Sequence, residues 1–360
     1  MPDAPRDWID RPKPVRTGEA LDERALAAFL REHVELDGDV TVEQFPSGFS
    51  NLTYLVRVGE RDLVLRRPPF GANVKGGHDM EREFTILQRL HGRVPVPEPL
   101  AFDGGDVLGA PCYLMERVRG VILRGQMPPA MQPDPATMAG IADAFVDTFA
   151  DLHSLDLDAA GLADFGQPEG YVQRQVDGWT RRYQRAKTDD VSEIDRVAAW
   201  LDANLPPESG VTLIHNDYKC DNLVLDAGDC TRVRAVLDWE MATVGDPLMD
   251  LGSTLGYWVE PDDSHVLQML ALSPTTLPGN PTREALVARY ERATGRTVEQ
   301  PVFYYVYGLF KLAVIVQQIY KRYVLGHTAD ERFAGLIHAV RVCGQTAERA
   351  IERGRISGLG

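Results

Sequence analysis

The sequence is poor in cysteine. Four stand in 360 residues, at 112, 220, 230 and 343, and no two form a CxxC pair. That excludes a disulfide framework and a thiolate metal site, and it fits a reducing, cytoplasmic setting. Basic residues are outnumbered, 38 Lys and Arg against 53 Asp and Glu, for a net charge of −15. Non-specific binding to nucleic acid or to anionic membranes is therefore not expected. Long uncharged apolar runs are scarce. The stretch FYYVYGLFKLAVIVQQIY at 303–320 raises the membrane question, but it holds Lys311, Gln317 and Gln318 and leads into Lys321 and Arg322. A spanning helix wants about 20 nearly uncharged residues, so this stretch reads as a buried helix. The first eighteen residues, MPDAPRDWIDRPKPVRTG, offer no apolar signal segment. Internal repeats and low-complexity segments are absent as well.

What is present is enough apolar material for a sizeable core, 44% of the residues, in a chain long enough for two domains. Residues 21–33 have helical periodicity. VTVEQF at 40–45, LTYLVRV at 52–58 and DLVLRR at 62–67 are β-rich, and the intervening PSGFSN and GER have turn chemistry. A helix is expected at 79–91, capped by Asp79. PEPLAFD at 97–103 and PCYLMERV at 111–118 complete a five-stranded antiparallel unit. Helical patterns then dominate, at 136–154, 168–186, 190–203, 283–293, 301–323 and 329–352, with short strands at 211–214, 223–225 and 233–237. The expected architecture is α+β: residues 1–118 form a small lobe with an N-terminal arm, and 119–360 a larger, mainly helical lobe.

Residues 213–226, LIHNDYKCDNLVLD, concentrate polar and ionisable groups between two apolar runs. Burying such groups is costly unless each is paired. Asp217 and Asn222 stand five apart, and Asp238 follows sixteen residues later at the end of VRAVL. Magnesium takes oxygen ligands, commonly one or two carboxylates together with substrate phosphates. Asn222 and Asp238 can supply such oxygens, which leaves Asp217 to orient and deprotonate a hydroxyl. This division of roles is the protein-kinase template for phosphoryl transfer. The plain alternative is that all three are turn formers.

With VLRRPP, HNDYKCDNLVLD and LDWEMATVGDPLMDLG on the page, the sequence resembles the aminoglycoside phosphotransferase and choline kinase superfamily from about residue 40 to 340. Within it, the sequence is similar to the kinase-like domains fused to acyl-CoA dehydrogenases. The resemblance implies a bilobal, protein-kinase-like fold and an enzyme that moves the γ-phosphoryl group of ATP, with Mg2+, to the hydroxyl of a small molecule. By resemblance, Asp217 is the catalytic base, Asn222 and Asp238 are the metal ligands, Lys219 approaches the transferred phosphate, and Asp250 braces the catalytic loop. Ser47, Gly48, Ser50 and Asn51 lie in the segment that would cover the phosphates. Glu116 and Val118 would read the adenine edge through their backbone.

Two departures stand out. The phosphate loop has one glycine, Gly48, in place of a GxGxxG pattern. The strand position that usually carries a phosphate-binding lysine carries Arg66, with Glu83 as its expected partner. Arg67 and Glu81 are the competing choices, since strand alternation turns only one of two adjacent arginines inward. The acceptor implied by the resemblance is a hydroxylated acyl-CoA. Lys75, the cluster at 181–187, and Lys321 with Arg322 are candidates to meet its phosphates, and residues 303–307 to line its acyl chain. An aminoglycoside, amino alcohol or sugar acceptor is the alternative, and an inactive nucleotide-binding scaffold is the alternative of another class. A protein kinase does not fit, because Gly245-Asp246-Pro247 begins only seven positions after Asp238 and leaves no room for an activation segment.

Overall fold

A computed structural model describes residues 11–35, 38–46, 51–70, 79–125, 127, 132–328 and 330–360. The chain divides into two compact units. The first comprises Met1–Ile122 with Leu223–Met241, and the second Leu123–Asn222 with Ala242–Gly360. Residues 223–241 group with the first unit although the second surrounds them in sequence.

The first unit is built on strands β1 (Val40–Gln44), β2 (Leu52–Val58), β3 (Arg61–Arg67), β4 (Pro99–Asp103) and β5 (Cys112–Glu116). They form an antiparallel sheet in the order β1-β2-β3-β5-β4. Alternate residues of the strands face opposite ways. Tyr54, Val56, Leu63, Leu65, Cys112 and Leu114 form one core with Leu26, Phe29 and Leu30 of helix α1 (Glu23–His33). Helix α2 (Met80–Leu90) starts at Asp79, whose carboxylate accepts the Arg82 N–H. Its Phe84 ring lies 5.9 Å from Phe102 and 6.0 Å from Tyr113. The register sets Arg66 opposite Thr53 on one side and Tyr113 on the other. The hairpin Leu223–Leu225 and Val233–Val236 joins this unit through paired hydrogen bonds between Val121 and Leu225, and through the Val236 N–H to the Pro95 carbonyl.

The second unit holds helices α3 (Pro135–His153), α4 (Tyr171–Ala186), α5 (Ser192–Ala203), α6 (Pro247–Tyr257), α7 (His265–Leu270), α8 (Arg283–Thr294), α9 (Pro301–Val324) and α10 (Leu336–Arg353). Strands Thr212–Ile214 and Thr243–Gly245 pair beside them. The apolar stretch at 303–320 lies within α9. This helix is long and apolar enough to cross a membrane, but 72% of the tested window is buried inside the protein. It packs against α4, α5, α6 and α10. The helix expected from 329 starts at Leu336, because Glu331–Phe333 forms a separate 3-10 turn capped by Asp330 and Gly335 stands before α10. Helix α6 is absent from the sequence reading. Gly252 and Gly256 are poor helix formers, yet here they admit α9. A Cβ on Gly256 would lie 2.6 Å from the Gly308 carbonyl carbon, and one on Gly252 would collide with the Tyr304 carbonyl.

Candidate active site

The first unit holds a charged cluster. On β3 the residues at 63 and 65 face the α1 core, so Arg66 points the other way. Its Nη2 lies 3.2 Å from Glu83 Oε1 on α2 and 2.9 Å from Asp238 Oδ1. Arg67 does not join it, and its guanidinium lies 3.9 Å from the centroid of the Phe70 ring. Glu81 is exposed, whereas Glu83 is buried. Burial pushes the Glu83 carboxyl up and Asp238 adds to that, while Arg66 pulls it down. Arg66 Nε is buried with no hydrogen-bond partner. Such an orphaned donor is costly to leave unmade, and a ligand oxygen would satisfy it.

Asn51 sits at the start of β2, and its Nδ2 donates to Glu240 Oε2 at 2.9 Å. Ser47, Gly48 and Ser50 lie outside the described residues. Glu116 ends β5 and is exposed. Its N–H donates to the Glu98 carbonyl, so only its carbonyl could read a base edge. Val118, just beyond, is half-buried.

The second unit holds the loop His215–Asn222. Asp250 of α6, fully buried, accepts the His215 N–H at 2.6 Å and the Asn216 N–H at 2.7 Å. His153 lies 3.2 Å from the same carboxylate and 2.8 Å from the Tyr290 hydroxyl. Burial alone would raise the Asp250 carboxyl, but His153 and the His215 N–H outweigh it and hold the group below the usual carboxylate range. The loop is thus anchored by an anion that stays ionised. Tyr218, stacked on Phe149 with centroids 4.5 Å apart, donates its hydroxyl to the Phe145 carbonyl and pins the middle of the loop.

Between these anchors Asp217 is left half-buried. His215 Nδ1 accepts its N–H, Lys219 forms an ion pair with its carboxylate, and Asn222 Nδ2 donates to its carbonyl at 2.9 Å and to its Oδ2 at 3.1 Å. Those bonds fix which end of the Asn222 amide is nitrogen. The amide oxygen is the end that could serve a hard cation. Among the described residues, two that are not glycine have positive φ: Asn216 at 64° and Asp238 at 67°. Left-handed backbone is uncommon outside glycine and tends to mark functional positions. One of the two directly precedes the expected base, and the other is an expected metal ligand.

Comparison with known proteins decides the family. A model of the phosphotransferase enzyme family matches residues 41–294. The chain belongs to that family. Human acyl-CoA dehydrogenase family member 11 is 34% identical over 339 residues, which cover 89% of this chain and 43% of the relative. The chain therefore spans less than half the length of that relative. A solved structure from Ralstonia eutropha, described as a candidate aminoglycoside phosphotransferase, has a TM-score of 0.76 and 31% identity, covering 91% of this chain and 99% of that one. A ternary complex of aminoglycoside phosphotransferase APH(4)-Ia with AMP-PNP and hygromycin B has a TM-score of 0.58 at 19% identity, covering 90% of this chain and 98% of that one. The fold is kinase-like and α+β, as in these structures, and the family is one of phosphotransferases.

Within this phosphotransferase, one polar residue near the loop escaped the sequence reading. Lys311 of α9 entered there only as a charge that spoiled a membrane span. Its Nζ donates to the Asn216 carbonyl at 2.5 Å and to Ser253 Oγ at 3.1 Å. The only sequence signal was a lone lysine inside an apolar run. Other expectations for the acceptor side fare differently. Phe303–Tyr307 are buried in the core and cannot line an open acyl channel, because their rings fill the packing around α9. Arg181, Arg182 and Arg185 are exposed, with Arg182 stacked over Trp179, while Lys321 caps the Arg185 carbonyl. Lys75 lies outside the described residues. The acidic group Glu260, Asp262 and Asp263 could suit a cation by spacing, but Arg283 already pairs with Glu260 and Asp263.

Proposed function

We propose that the chain transfers the γ-phosphoryl group of ATP, with magnesium, to the hydroxyl of an acyl-CoA-like metabolite. The observation that carries the kinase chemistry is the tie between Asp217 and Asn222. The Asn222 amide donates to the Asp217 carbonyl and carboxylate, and its own oxygen would be the end to serve a cation. The groups in place suit Mg-ATP. Asn222 and Asp238 offer hard oxygens, and the orphaned Arg66 Nε suits a phosphate oxygen. When bound, magnesium would neutralise phosphate charge. Asp217 would accept the hydroxyl proton of the acceptor, and Lys219 would attend the transferred phosphoryl group. Holding these groups fixed is most of the catalysis in such a transfer.

Asn222 and Asp238 belong to different compact units. The acyl-CoA acceptor rests on the relatives' names, which attach this kind of chain to acyl-CoA dehydrogenases. The net charge of −15 would by itself favour a cationic acceptor, but it describes the whole surface and not one cleft.

The test is transfer from γ-labelled ATP to a 4-hydroxyacyl-CoA and to kanamycin, side by side. Transfer to the first is expected. Transfer to kanamycin alone would replace the acceptor, and nucleotide binding without transfer to any hydroxyl would favour an inactive scaffold. Asp217→Asn should lower turnover by about 10²- to 10⁴-fold while Mg-ATP binding persists. Asp238→Asn should weaken that binding as well, and calorimetry separates the two.

A further inference from the structure

Lys311 is a charge in an unexpected place. Among the described residues, α9 is the one helix long and apolar enough to cross a membrane, and Lys311 is buried within it. No carboxylate of the described residues lies within ion-pair distance of its Nζ. A buried ammonium without such a partner is destabilising, and an uncharged chain of similar length would pack more favourably. Its two acceptors are Ser253 Oγ on α6 and the carbonyl of Asn216. Asn216 is the left-handed residue just before the expected base.

We propose that Lys311 is a positioning residue for the phosphoryl transfer: its ammonium holds the strained Asn216–Asp217 peptide in place and sets a positive charge near the Asp217 carboxylate. This rests on the functional reading above and deepens it. The charged groups around the ammonium are Asp217 and Lys219 of the loop, Asp250 of α6 and Arg182 of α4, with the Trp179 ring centroid 5.6 Å away. Burial pushes Lys311 down from 10.5 to about 8, against the pull of Asp217 and Asp250 and with the push of Lys219 and Arg182. Above that pH the ammonium becomes an amine. The held carbonyl then loses its charged donor, and turnover should fall.

The experiment follows kcat and KM against pH for the whole chain, with Mg-ATP and a 4-hydroxyacyl-CoA. The wild type should show an alkaline limb in kcat near pH 8. Lys311→Met should lose the limb and about 10- to 100-fold in kcat, with KM for ATP unchanged. Ser253→Ala, a smaller change, takes away an acceptor that favours the charged form, so its limb should move to lower pH. Wild-type kcat and an unmoved limb in both variants would overturn the proposal.

A second readout needs no turnover. Between pH 8 and 10.5 the unfolded chain holds a proton on Lys311 that the folded chain has lost, so the wild type should gain stability relative to Lys311→Met as pH rises through that window. A difference in Tm that stays flat there would also overturn the proposal. Absence of transfer to any acceptor, with the sloping Tm difference intact, would instead sink the functional reading.

Discussion

Arg66 carries the clearest residue-scale question, since an arginine stands where a lysine was the expectation. Its guanidinium reaches two carboxylates, Glu83 and Asp238, while Nε is left over. Three directional donors on one planar group allow it to bridge α2, the Asp238 segment and a phosphate. A lysine is a point charge and cannot reproduce that set. Arg66→Ala should therefore raise KM for ATP and lower kcat, and Arg66→Lys should recover only part of the loss. Glu83 becomes a buried carboxylate without its partner in Arg66→Ala, so a loss of stability of about 3–5 kcal/mol, as for a broken buried pair, should accompany the kinetic loss and lower Tm. Equal kinetics for wild type and Arg66→Ala would remove Arg66 from the nucleotide site.

Elements, more than single residues, hold the loop at 215–222. Helix α6 supplies Asp250, which accepts two backbone N–H groups of the loop, and Ser253, an acceptor for Lys311. Its position depends on close approach to α9 at Gly252, Gly256 and Gly308. Small residues at a crossing let helix backbones meet, and a side chain there forces them apart. Gly256→Val should destabilise the fold by about 1–3 kcal/mol and should cost turnover beyond that, because α6 carries the anchor of the loop. A denaturant midpoint together with kcat at a temperature where the variant is folded checks both. Retention of full kcat in a folded variant would uncouple the crossing from the loop.

For the molecule as a whole, the first unit is not continuous in sequence. Its last piece, residues 223–241, arrives after a hundred residues of the second unit. That piece brings Asp238 to Arg66 and Glu240 to Asn51, and it pairs Leu225 with Val121. A fragment ending at Ile122 would leave Arg66 and Glu83 without Asp238, and would leave Val121 without its two backbone hydrogen bonds to Leu225. Such a fragment should show no cooperative thermal transition, whereas the full chain should. A sharp transition in the fragment would mean that the sheet and α1 suffice alone.

Much of the fold was legible because local patterns are strong where periodicity is clean. The β-rich runs of β2 and β3, the cap at Asp79 and the long helices α3, α4 and α9 follow from spacing and composition. The loop at 215–222 stood out because its polar groups at fixed spacing have few other uses. Helix α6 was hidden because its glycines lower helix propensity, and their purpose lies in a partner helix some fifty residues away in sequence. The sequence by itself determined the residue types that phosphoryl transfer needs, their spacing from Asp217 to Asn222 and on to Asp238, and the family likeness those spacings carry. Tertiary structure decided which of two adjacent arginines turns toward Glu83, since that depends on which face of the sheet α1 covers. It also decided that a lone lysine in an apolar helix meets the carbonyl beside Asp217, because only folding brings position 311 to position 216.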